Sequence, residues 1–365
     1  MILTAGPSIT KLEIDYVNDA VTNGWNNNWN SYIVRLEDAF KEKFNVKHAL
    51  LTSSCTGGMH MAARAIGIEK GDEVLVPELT WVATASAPFY LDAKPVFVDV
   101  DMDTWTIDLA SAEKYLTPKT KAIMPVHLYG HPSNMDQVMK FANKHDLKVI
   151  EDAAPAIGAK SNGKFVSTFG DVSVFSFQGA KMMVTGEGGI VLTNDDEIFS
   201  KIKQYSEHGR STDPSKTFWI ETIGYKYKMS NIQAALGLAQ FERLDELISK
   251  KREIFSWYEE ILGQYDNIKL NKEADWAHSI YWMTSIRLAD TLIDRDALMS
   301  KMKEDQIDSR PVFPTISKYP MWHSDCVNKN ATLISENSIN LPSGHNLTKD
   351  NISTVCNSIV KNLGL

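Results

Sequence analysis

The sequence has few cysteines and no long apolar run, and each shortage restricts the kind of protein it encodes. The 3 cysteines, Cys55, Cys326 and Cys356, form an odd and widely spaced set that matches neither a zinc-binding pattern nor a disulfide framework. No apolar stretch reaches the roughly 18–20 residues that a membrane span needs. The N-terminal residues lack the basic start and apolar core of a secretion signal. We therefore expect a cytoplasmic protein with no membrane partner and no metal site.

Positive charge is also in short supply. The formal net charge is -8 and the pI is about 5.6. An acidic surface argues against nucleic acid as the main partner, although it allows a local basic pocket for a phosphate ligand. The length of 365 residues allows one large and one smaller domain, each with its own core.

Short apolar runs of strand length alternate with helical stretches from about residue 48 to residue 195. The runs are HALLTSS, DEVLVP, KPVFVDV, KAIMPVHLYG, LKVIEDAA, DVSVFSF and GGIVLTN. This alternation predicts an α/β fold with a mainly parallel sheet between helices. Ligands of such sheets bind at the carboxyl ends of the strands, so the residues that follow each run are the candidates for chemistry.

The rest of the chain predicts flanking helices and a second domain. Residues 11–24 have helical apolar spacing that ends at Gly24, and an Asn-rich loop with two tryptophans follows. Residues 231–264 predict a long helix, straight or bent. Short strands and helices beyond it predict a small α+β domain. We place a large domain at residues 1–250 and a small C-terminal domain at residues 251–365.

Lys181 is the first candidate for chemistry, in the segment SFQGAKMMVTGEGG. It follows a predicted strand, and its small neighbours let a planar cofactor approach the backbone. A lysine forms an imine only when its amine is unprotonated part of the time, which requires burial or a cationic neighbour. A solvated loop lysine is the alternative interpretation.

Asp152 is the second candidate, at the point where the run VIED gives way to small residues. A buried carboxylate needs a partner. A protonated pyridine nitrogen is one such partner, because the pair keeps the ring cationic and able to accept electrons. The alternative role of Asp152 is to cap a helix.

Hydroxyl groups and an aromatic ring follow two further strands. Ser54, Cys55 and Thr56 lie between a predicted strand and a helix, where backbone N–H groups and hydroxyls bind anions, and Ser176 is a further hydroxyl of this kind. An ordinary capping turn is the alternative. Trp81 follows the run DEVLVP, where its ring could cover a flat ligand or pack in the core.

Taken in this order, the segments resemble the sugar-nucleotide aminotransferases of the DegT/DnrJ type, a branch of the fold-type I pyridoxal-phosphate (PLP) enzymes. The resemblance extends nearly end to end and is closest to the GDP-perosamine synthase group. Its most specific part is the VIEDAA strand end together with SF-x-x-x-K-x-x-x-x-GEGG. It implies that Lys181 is the Schiff-base lysine and proton shuttle, that Asp152 pairs with the pyridine nitrogen, and that Trp81 covers the ring.

The resemblance also implies where the phosphate of PLP binds and how subunits associate. It places the phosphate at Ser54, Cys55, Thr56 and Ser176, with Cys55 acting through its backbone. In this family the segment GYKYKMS, residues 224–230, reaches into the site of a neighbouring subunit, and its Lys226 could meet the phosphate as a point charge. A homodimer with shared active sites is therefore the expectation.

The substrates implied by the resemblance are L-glutamate and a nucleoside diphosphate that bears a 4-keto-6-deoxy sugar, on the route to a surface polysaccharide such as an O-antigen. Cations are needed for the substrate phosphates. The candidate substrate residues are Arg310, Lys228, Arg210, Thr315, Ser317, His127, His208 and His345. Structural roles are the alternative for the three histidines, and Glu187 either faces the site or only shapes its turn.

The chain departs from the family pattern at the edge of the site. Pro155 stands where the family has Gln or Glu, while Lys226 and Lys228 replace Asn and Arg. Residues 314–317 read Pro-Thr-Ile-Ser where perosamine-type synthases have Tyr-Pro-x-His, and Ser54 and Cys55 replace Asn and Gly. Two alternatives remain open: a PLP-dependent sugar dehydratase, and a catalytically lapsed binding protein. One branch of the family dehydrates sugars and has histidine in place of the lysine, so Lys181 favours transamination.

Overall fold

A mixed seven-stranded sheet forms the centre of the molecule, in a computed structural model that describes residues 1–289, 294–322 and 326–365. Its strands are β1 (His48–Thr52), β2 (Glu73–Pro77), β3 (Lys94–Val98), β4 (Thr120–Ile123), β5 (Lys148–Asp152), β8 (Val172–Ser176) and β9 (Gly189–Thr193). Two short strands, β6 (Lys160–Ser161) and β7 (Lys164–Phe165), lie between β5 and β8 in the chain. The spatial order is β1-β9-β8-β5-β4-β2-β3, in which β3, β2, β4, β5 and β8 are parallel. Strand β9 is antiparallel to both β8 and β1.

Helices cover both faces of this sheet. They are α1 (Lys11–Asn23), α2 (Ser31–Phe44), α3 (Cys55–Ala65), α4 (Ala83–Phe89), α5 (Leu109–Lys114), α6 (Met135–His145), α7 (Asp196–Ser206) and α8 (Asn231–Glu242). Because side chains alternate along a strand, Val74 and Val76 of β2 pack in the same core as α3, while Leu75 packs in the same core as α6. Every residue of β2 and β8 is buried, which explains why these strands read as continuous apolar runs. The predicted α/β fold is confirmed.

The C-terminal part of the chain forms a smaller antiparallel sheet covered by helices. Its strands are β10 (Ile268–Leu270), β12 (Ser285–Leu288), β13 (Arg310–Pro311) and β14 (Ser338–Asn340), in the order β10-β12-β14-β13. Its helices are α9 (Leu244–Leu262), α10 (Arg295–Glu304), α11 (Lys329–Asn337) and α12 (Lys349–Leu363). Strand β11 (Ala277–His278) instead joins β6 and β7 in a small three-stranded sheet.

Helix α9 passes through the predicted domain boundary at residue 250. Its first half places Leu244 and Leu247 in the core of the large sheet, and its second half places Ile254 and Tyr258 in the C-terminal core. The N-terminal segment also crosses between these parts, because the N–H of Ile2 donates to the carbonyl of Gln306 at 2.9 Å. The division at residue 250 stays a prediction, and the structure shows that one helix contributes both to a core of the large sheet and to the C-terminal core.

Two local differences from the sequence interpretation concern helices. The predicted helix at 231–264 is two helices, α8 and α9, that meet at Arg243, whose guanidinium pairs with Glu13 at 2.6 Å and Glu246 at 2.9 Å. Helix α2 was not predicted, although Leu36, Phe40 and Phe44 repeat at helical spacing and are all buried. The Asn-rich stretch before it contains only a short 3-10 turn, Asn26–Asn28.

The segment after β13 returns from the small sheet to the large one. Val312 and Ala331 pack in the core of the large sheet, and Ile316 packs with α3. A 3-10 turn, Ile316–Lys318, lies against the loop that follows β2, where the N–H of Ile316 donates to the carbonyl of Glu78 at 3.1 Å. Residues from both parts of the chain therefore reach the carboxyl edge of the parallel strands.

Candidate active site

A cavity of about 510 Å³ opens at the carboxyl edge of the parallel strands. It is formed where β2, β5 and β8 end and α3 begins, which is the edge predicted from the strand pattern. The cavity brings together eight of the predicted site residues: Ser54, Cys55, Thr56, Trp81, Asp152, Ser176, Lys181 and Arg310. Pro155 and Glu187 also line the cavity. Of the two roles left open for Glu187, the structure therefore shows the one in which it faces the site.

Asp152 is the last residue of β5 and is almost completely buried. Its Oδ2 accepts a hydrogen bond from the hydroxyl of Thr84 at 2.7 Å, and its Oδ1 accepts one from the N–H of Ala154 at 3.1 Å. The following residues, 153–159, form turns rather than a helix, so capping does not explain this carboxylate. Fixed donors on both oxygens orient the carboxylate at the cavity wall.

Lys181 lies in the turn after β8, where its N–H donates to the carbonyl of Gln178 at 2.8 Å. Its Nζ is 3.9 Å from the centre of the Trp282 ring. Burial lowers the pKa of Lys181 to about 8, against the opposing charge of Asp152. A half-buried amine close to a carboxylate differs from a solvated loop lysine, because with a pKa of about 8 roughly a tenth of it is neutral and nucleophilic at pH 7.

The first turn of α3 supplies an anion-binding end to the cavity. Ser54 caps the helix by accepting the N–H of Gly57 at 3.0 Å, which leaves the N–H groups of Cys55 and Thr56 at the free helix end. A Cβ at Gly189 would lie 2.8 Å from the nitrogen of Cys55, so glycine lets β9 approach this turn. Burial and the charge of Asp152 raise the pKa of the Cys55 thiol, which therefore stays neutral.

An aromatic wall encloses the other side of the cavity and consists of Trp81, Phe313, Tyr129 and Trp282. The rings follow one another at centroid distances of 5.6, 5.4 and 6.0 Å. The hydroxyl of Tyr129 accepts the N–H of Phe313 at 3.3 Å and the amide N–H of Asn340 at 3.2 Å. Trp81 is 55% exposed at the cavity mouth, which leaves its ring available to cover a flat ligand.

Sequence reasoning did not select the wall residues Phe313, Tyr129 and Trp282, nor Thr84 and Asn340. Tyr129 ends one of the apolar runs, so the strand-end rule could have selected it. Trp282 gives no such signal, because it comes from the C-terminal part of the chain, 102 residues from Ala180, whose carbonyl accepts its indole N–H.

Two residues predicted to contact substrate lie just outside the cavity lining, in the turn after β13. The N–H of Ser317 donates to the buried carboxylate of Glu78 at 2.8 Å. Thr315 is buried, and its hydroxyl has no hydrogen-bond partner in the described part of the chain. This turn packs on the loop that leads to Trp81, and that loop lines the cavity. One layer of chain therefore separates Thr315 and Ser317 from the cavity.

His127 was predicted as a substrate contact, and the structure corrects this interpretation. The ring is completely buried, with Nε2 3.3 Å from Glu151 and Nδ1 accepting the N–H of Ser133 at 3.0 Å. Both ring nitrogens are therefore used inside the fold, away from the cavity. His345 is also outside the cavity lining, and burial lowers its pKa to about 3.

The remaining predicted cations lie outside the cavity of this subunit. Lys226 and Arg210 are exposed, as is His208. Lys228 forms an ion pair with Glu207 at 2.7 Å. The backbone of this segment nevertheless touches the turn at residues 53–56, because the N–H of Ser53 donates to the carbonyl of Tyr227 at 2.7 Å.

The cavity combines a lysine amine, an oriented carboxylate and a helix end with free N–H groups. These are the groups that a cofactor with an aldehyde, a pyridine nitrogen and a phosphate requires, so the site fits PLP. Within residues 1–289, 294–322 and 326–365, no group of three or more His, Cys, Asp or Glu side chains is arranged to hold a metal ion. No helix in these ranges is long and apolar enough to cross a bilayer.

Comparison with known proteins adds a family match over almost the whole chain. A model of the DegT/DnrJ/EryC1/StrS aminotransferase family matches residues 7–360. GDP-perosamine synthase of Escherichia coli O157:H7 is 41% identical over 355 residues, which cover 97% of this chain and 96% of that protein.

Solved structures show the same fold. The Helicobacter pylori aminotransferase PseC, involved in the biosynthesis of pseudoaminic acid, has a TM-score of 0.92 at 25% identity, covering 100% of this chain and 99% of that one. A Streptococcus pneumoniae protein solved in its PLP form has a TM-score of 0.92 at 23% identity, covering 100% of this chain and 98% of that one. The second likeness concerns the fold alone.

Proposed function

The chain belongs to the DegT/DnrJ/EryC1/StrS aminotransferase family, and from this membership and the cavity we propose which reaction it catalyses. It is a PLP-dependent sugar aminotransferase. The proposed donor is L-glutamate, and the proposed acceptor is a nucleoside diphosphate that bears a 4-keto-6-deoxy sugar. The similarity to a GDP-perosamine synthase favours a GDP-linked sugar aminated at C4.

The observation that supports this proposal most directly is that Lys181 and Asp152 line one cavity and interact through their charges. An amine with a lowered pKa and a carboxylate with fixed donors are the two groups that amino transfer with PLP requires. A dehydratase of this family would have histidine at the position of Lys181. A lapsed binding protein would not need to retain an amine of lowered pKa beside the carboxylate.

When bound, PLP supplies an electron sink that stabilises negative charge at the Cα of an amino acid. Asp152 would hold the proton on the pyridine nitrogen, with its carboxylate oriented by Thr84 and Ala154. Lys181 would hold the cofactor and, once free, would move a proton between the Cα of the amino donor and C4′ of the cofactor. A pKa of about 8 suits this amine to both accepting and releasing that proton near neutral pH.

Other residues would bind and orient the reactants. The N–H groups of Cys55 and Thr56 and the hydroxyls of Ser54 and Ser176 would hold the cofactor phosphate. The aromatic wall would exclude water and give the apolar face of a 6-deoxy sugar a surface to pack on. Arg310 is exposed where the cavity opens, a suitable place for the diphosphate of the nucleotide.

A homodimer with shared active sites is part of the proposal. The loop before the segment 224–230 exposes large apolar side chains: Phe218 is 80% exposed and Ile223 is 77% exposed. Such side chains are typical of a surface that another subunit covers. A partner would bring its Lys226 to the phosphate turn. We further propose a cytoplasmic enzyme whose product enters a surface polysaccharide.

The test is an assay of the purified protein with PLP, L-glutamate and a GDP-linked 4-keto-6-deoxyhexose. The expected products are 2-oxoglutarate and an amino sugar, in equal amounts, identified by mass spectrometry. Lys181→Ala is the matched control and should form neither. A product that has lost water without gaining nitrogen would support the dehydratase instead. Absence of both products with every keto-sugar nucleotide tried would refute the proposed function.

A further inference from the structure

The amine of Lys181 rests on the indole ring of Trp282. The Nζ lies 3.9 Å from the ring centre, within the distance at which an ammonium group is attracted to an aromatic face. Trp282 is 7% exposed and lines the cavity, so little of its ring is open to bulk water. The same tryptophan donates its indole N–H to the carbonyl of Ala180, the neighbour of Lys181, at 2.6 Å.

Three contacts fix Trp282 itself. Its indole N–H is bound to Ala180, and its ring stacks with Tyr129 at 6.0 Å and 29°. Its backbone carbonyl accepts a hydrogen bond from Nζ of Lys251 at 3.1 Å. Lys251 is buried in α9 and also donates to the carbonyl of Ser343, so it links Trp282 to the chain after β14. The indole is therefore a fixed surface.

We propose that Trp282 is the positioning residue for Lys181. The lysine amine rests on the indole face whenever the amine is not bonded to the cofactor. Lys251 holds the tryptophan in place. The proposal rests on the function proposed above. A proton shuttle must stay within reach of the reacting carbon after it is released. A flexible four-carbon side chain needs a surface that keeps it there.

The charges around the amine agree with this arrangement. Asp152 and Cys55 face Lys181 from β5 and α3, while Glu187 and Arg310 line the same cavity. The Cys55 thiol is neutral, because burial raises its pKa, which leaves Asp152 as the anion that acts on Lys181. The indole face adds attraction for the ammonium form without adding a charge, while burial favours the neutral amine.

The decisive measurement is the pKa of Lys181 in the cofactor-free, full-length protein. Competitive labelling with acetic anhydride across a pH series, followed by mass spectrometry of the peptide that contains Lys181, gives this pKa without any sugar substrate. Trp282→Leu keeps the site apolar but removes the aromatic face, so the pKa should fall by about half a unit or more. Trp282→Phe keeps a weaker face and should give an intermediate value.

Trp322→Leu is the matched control. Trp322 is also a buried indole, but it packs on Phe89 and Phe97 and does not line the cavity. Its replacement should leave the pKa of Lys181 unchanged. If all three variants show the wild-type pKa, or if Trp282→Leu raises it, Trp282 is only a structural residue and the proposal is wrong.

A second measurement follows the rate at which the cofactor-loaded protein consumes L-glutamate in a single turnover. The expected order is wild type, then Trp282→Phe, then Trp282→Leu, with a lower maximal rate and little change in the glutamate concentration at half-maximal rate. Should Trp282→Leu fail to fold, Trp282→Phe still tests both readouts. Because labelling needs no acceptor sugar, failure of the sugar assay and failure of this inference can be told apart. Equal maximal rates in all variants would contradict the inference.

Discussion

The hydroxyl of Thr84 donates a hydrogen bond to Oδ2 of Asp152 at 2.7 Å, which connects the start of α4 to the end of β5. The hydroxyl of Thr84 is itself 3.1 Å from that of Thr80, which lines the cavity. A carboxylate that accepts such a bond is held in one orientation, which a partner for the N–H of a pyridine ring requires.

Thr84→Val should therefore weaken PLP binding. The change keeps the volume of the side chain and removes one hydrogen bond to a charged group, worth about 1.5–3 kcal/mol, so the Kd for PLP should rise about tenfold or more. Titration of the cofactor-free protein with PLP, followed by visible absorbance, measures this Kd. Thr84→Ser keeps the hydroxyl and should bind as the wild type does. Equal affinity in the valine variant would show that Thr84 does not orient Asp152.

The rate at which the cofactor-free protein captures PLP should rise with pH. Burial lowers the pKa of Lys181 to about 8, and only the neutral amine attacks the aldehyde. The rate should therefore increase about tenfold per pH unit below pH 8 and level off above it. Stopped-flow absorbance at a series of pH values measures the rate. A lysine in a short peptide, with its ordinary pKa near 10.5, provides the comparison. If the rate in the protein reached half its maximum at a similarly high pH, the pKa of Lys181 would not be lowered by burial.

Glu78 should control the position of the turn Ile316–Lys318, which holds the proposed sugar contact Ser317. This carboxylate is buried, and it accepts the N–H of Ser317 at 2.8 Å and the amide N–H of Asn328 at 2.7 Å. Glu78→Gln replaces one carboxylate oxygen with an amide NH2 group, which then faces the N–H group that this oxygen accepted from. The change should lower the free energy of unfolding by about 1–3 kcal/mol.

The kinetic consequence of Glu78→Gln should be confined to the sugar. We expect a higher KM for the nucleotide sugar and an unchanged rate with L-glutamate in a single turnover, because the turn lies outside the part of the cavity that holds Lys181 and Asp152. Steady-state kinetics and thermal unfolding measure the two effects. Equal loss in both half-reactions would mean that Glu78 supports the whole site and has no particular effect on sugar binding.

Mixing two inactive variants should restore activity if subunits share their sites. Lys181→Ala removes the catalytic amine of its own subunit, and Lys226→Glu would repel the cofactor phosphate in the site of its partner. After the two proteins are unfolded and refolded together, about half of the dimers should contain one subunit of each variant. Each mixed dimer has one intact site, built from the Lys181 of one subunit and the Lys226 of the other. The mixture should therefore show about a quarter of wild-type activity. Each variant refolded alone is the control. No recovery in dimers shown to be mixed would contradict the shared site.

Strand-end reasoning predicted that Asp152 and Lys181 meet at one site because the signals are local, and both line the cavity. The apolar runs that end at Asp152 and before Lys181 are buried strands, and the carboxyl edge of a parallel sheet brings their ends together. The direction of a side chain at such an edge is not local. His127 also lies just beyond a strand of this sheet, yet its ring points toward Glu151 and Ser133. The packing of neighbouring segments determines this direction.

The contacts that sequence reasoning could not predict come from distant segments. Trp282 and Asn340 reach the cavity only because the small sheet packs beside the large one, and no periodicity in either segment indicates this. Helix α2 is a different case, since its apolar residues repeat at regular helical spacing. Its sequence alone could therefore have predicted a helix after the Asn-rich loop. The roles of Thr315 and Ser317 stay predictions that a sugar-bound structure would test.

Helix α9 belongs to two cores, and this has a consequence for how the protein melts. Leu244 and Leu247 pack in one core, while Ile254 and Tyr258 pack in the other, with no flexible linker between them. Loss of either core would therefore expose apolar side chains of the helix that supports the other. Differential scanning calorimetry should show a single cooperative heat-absorption peak, as from one thermodynamic unit, even though the described chain is built around two larger sheets and a small third one.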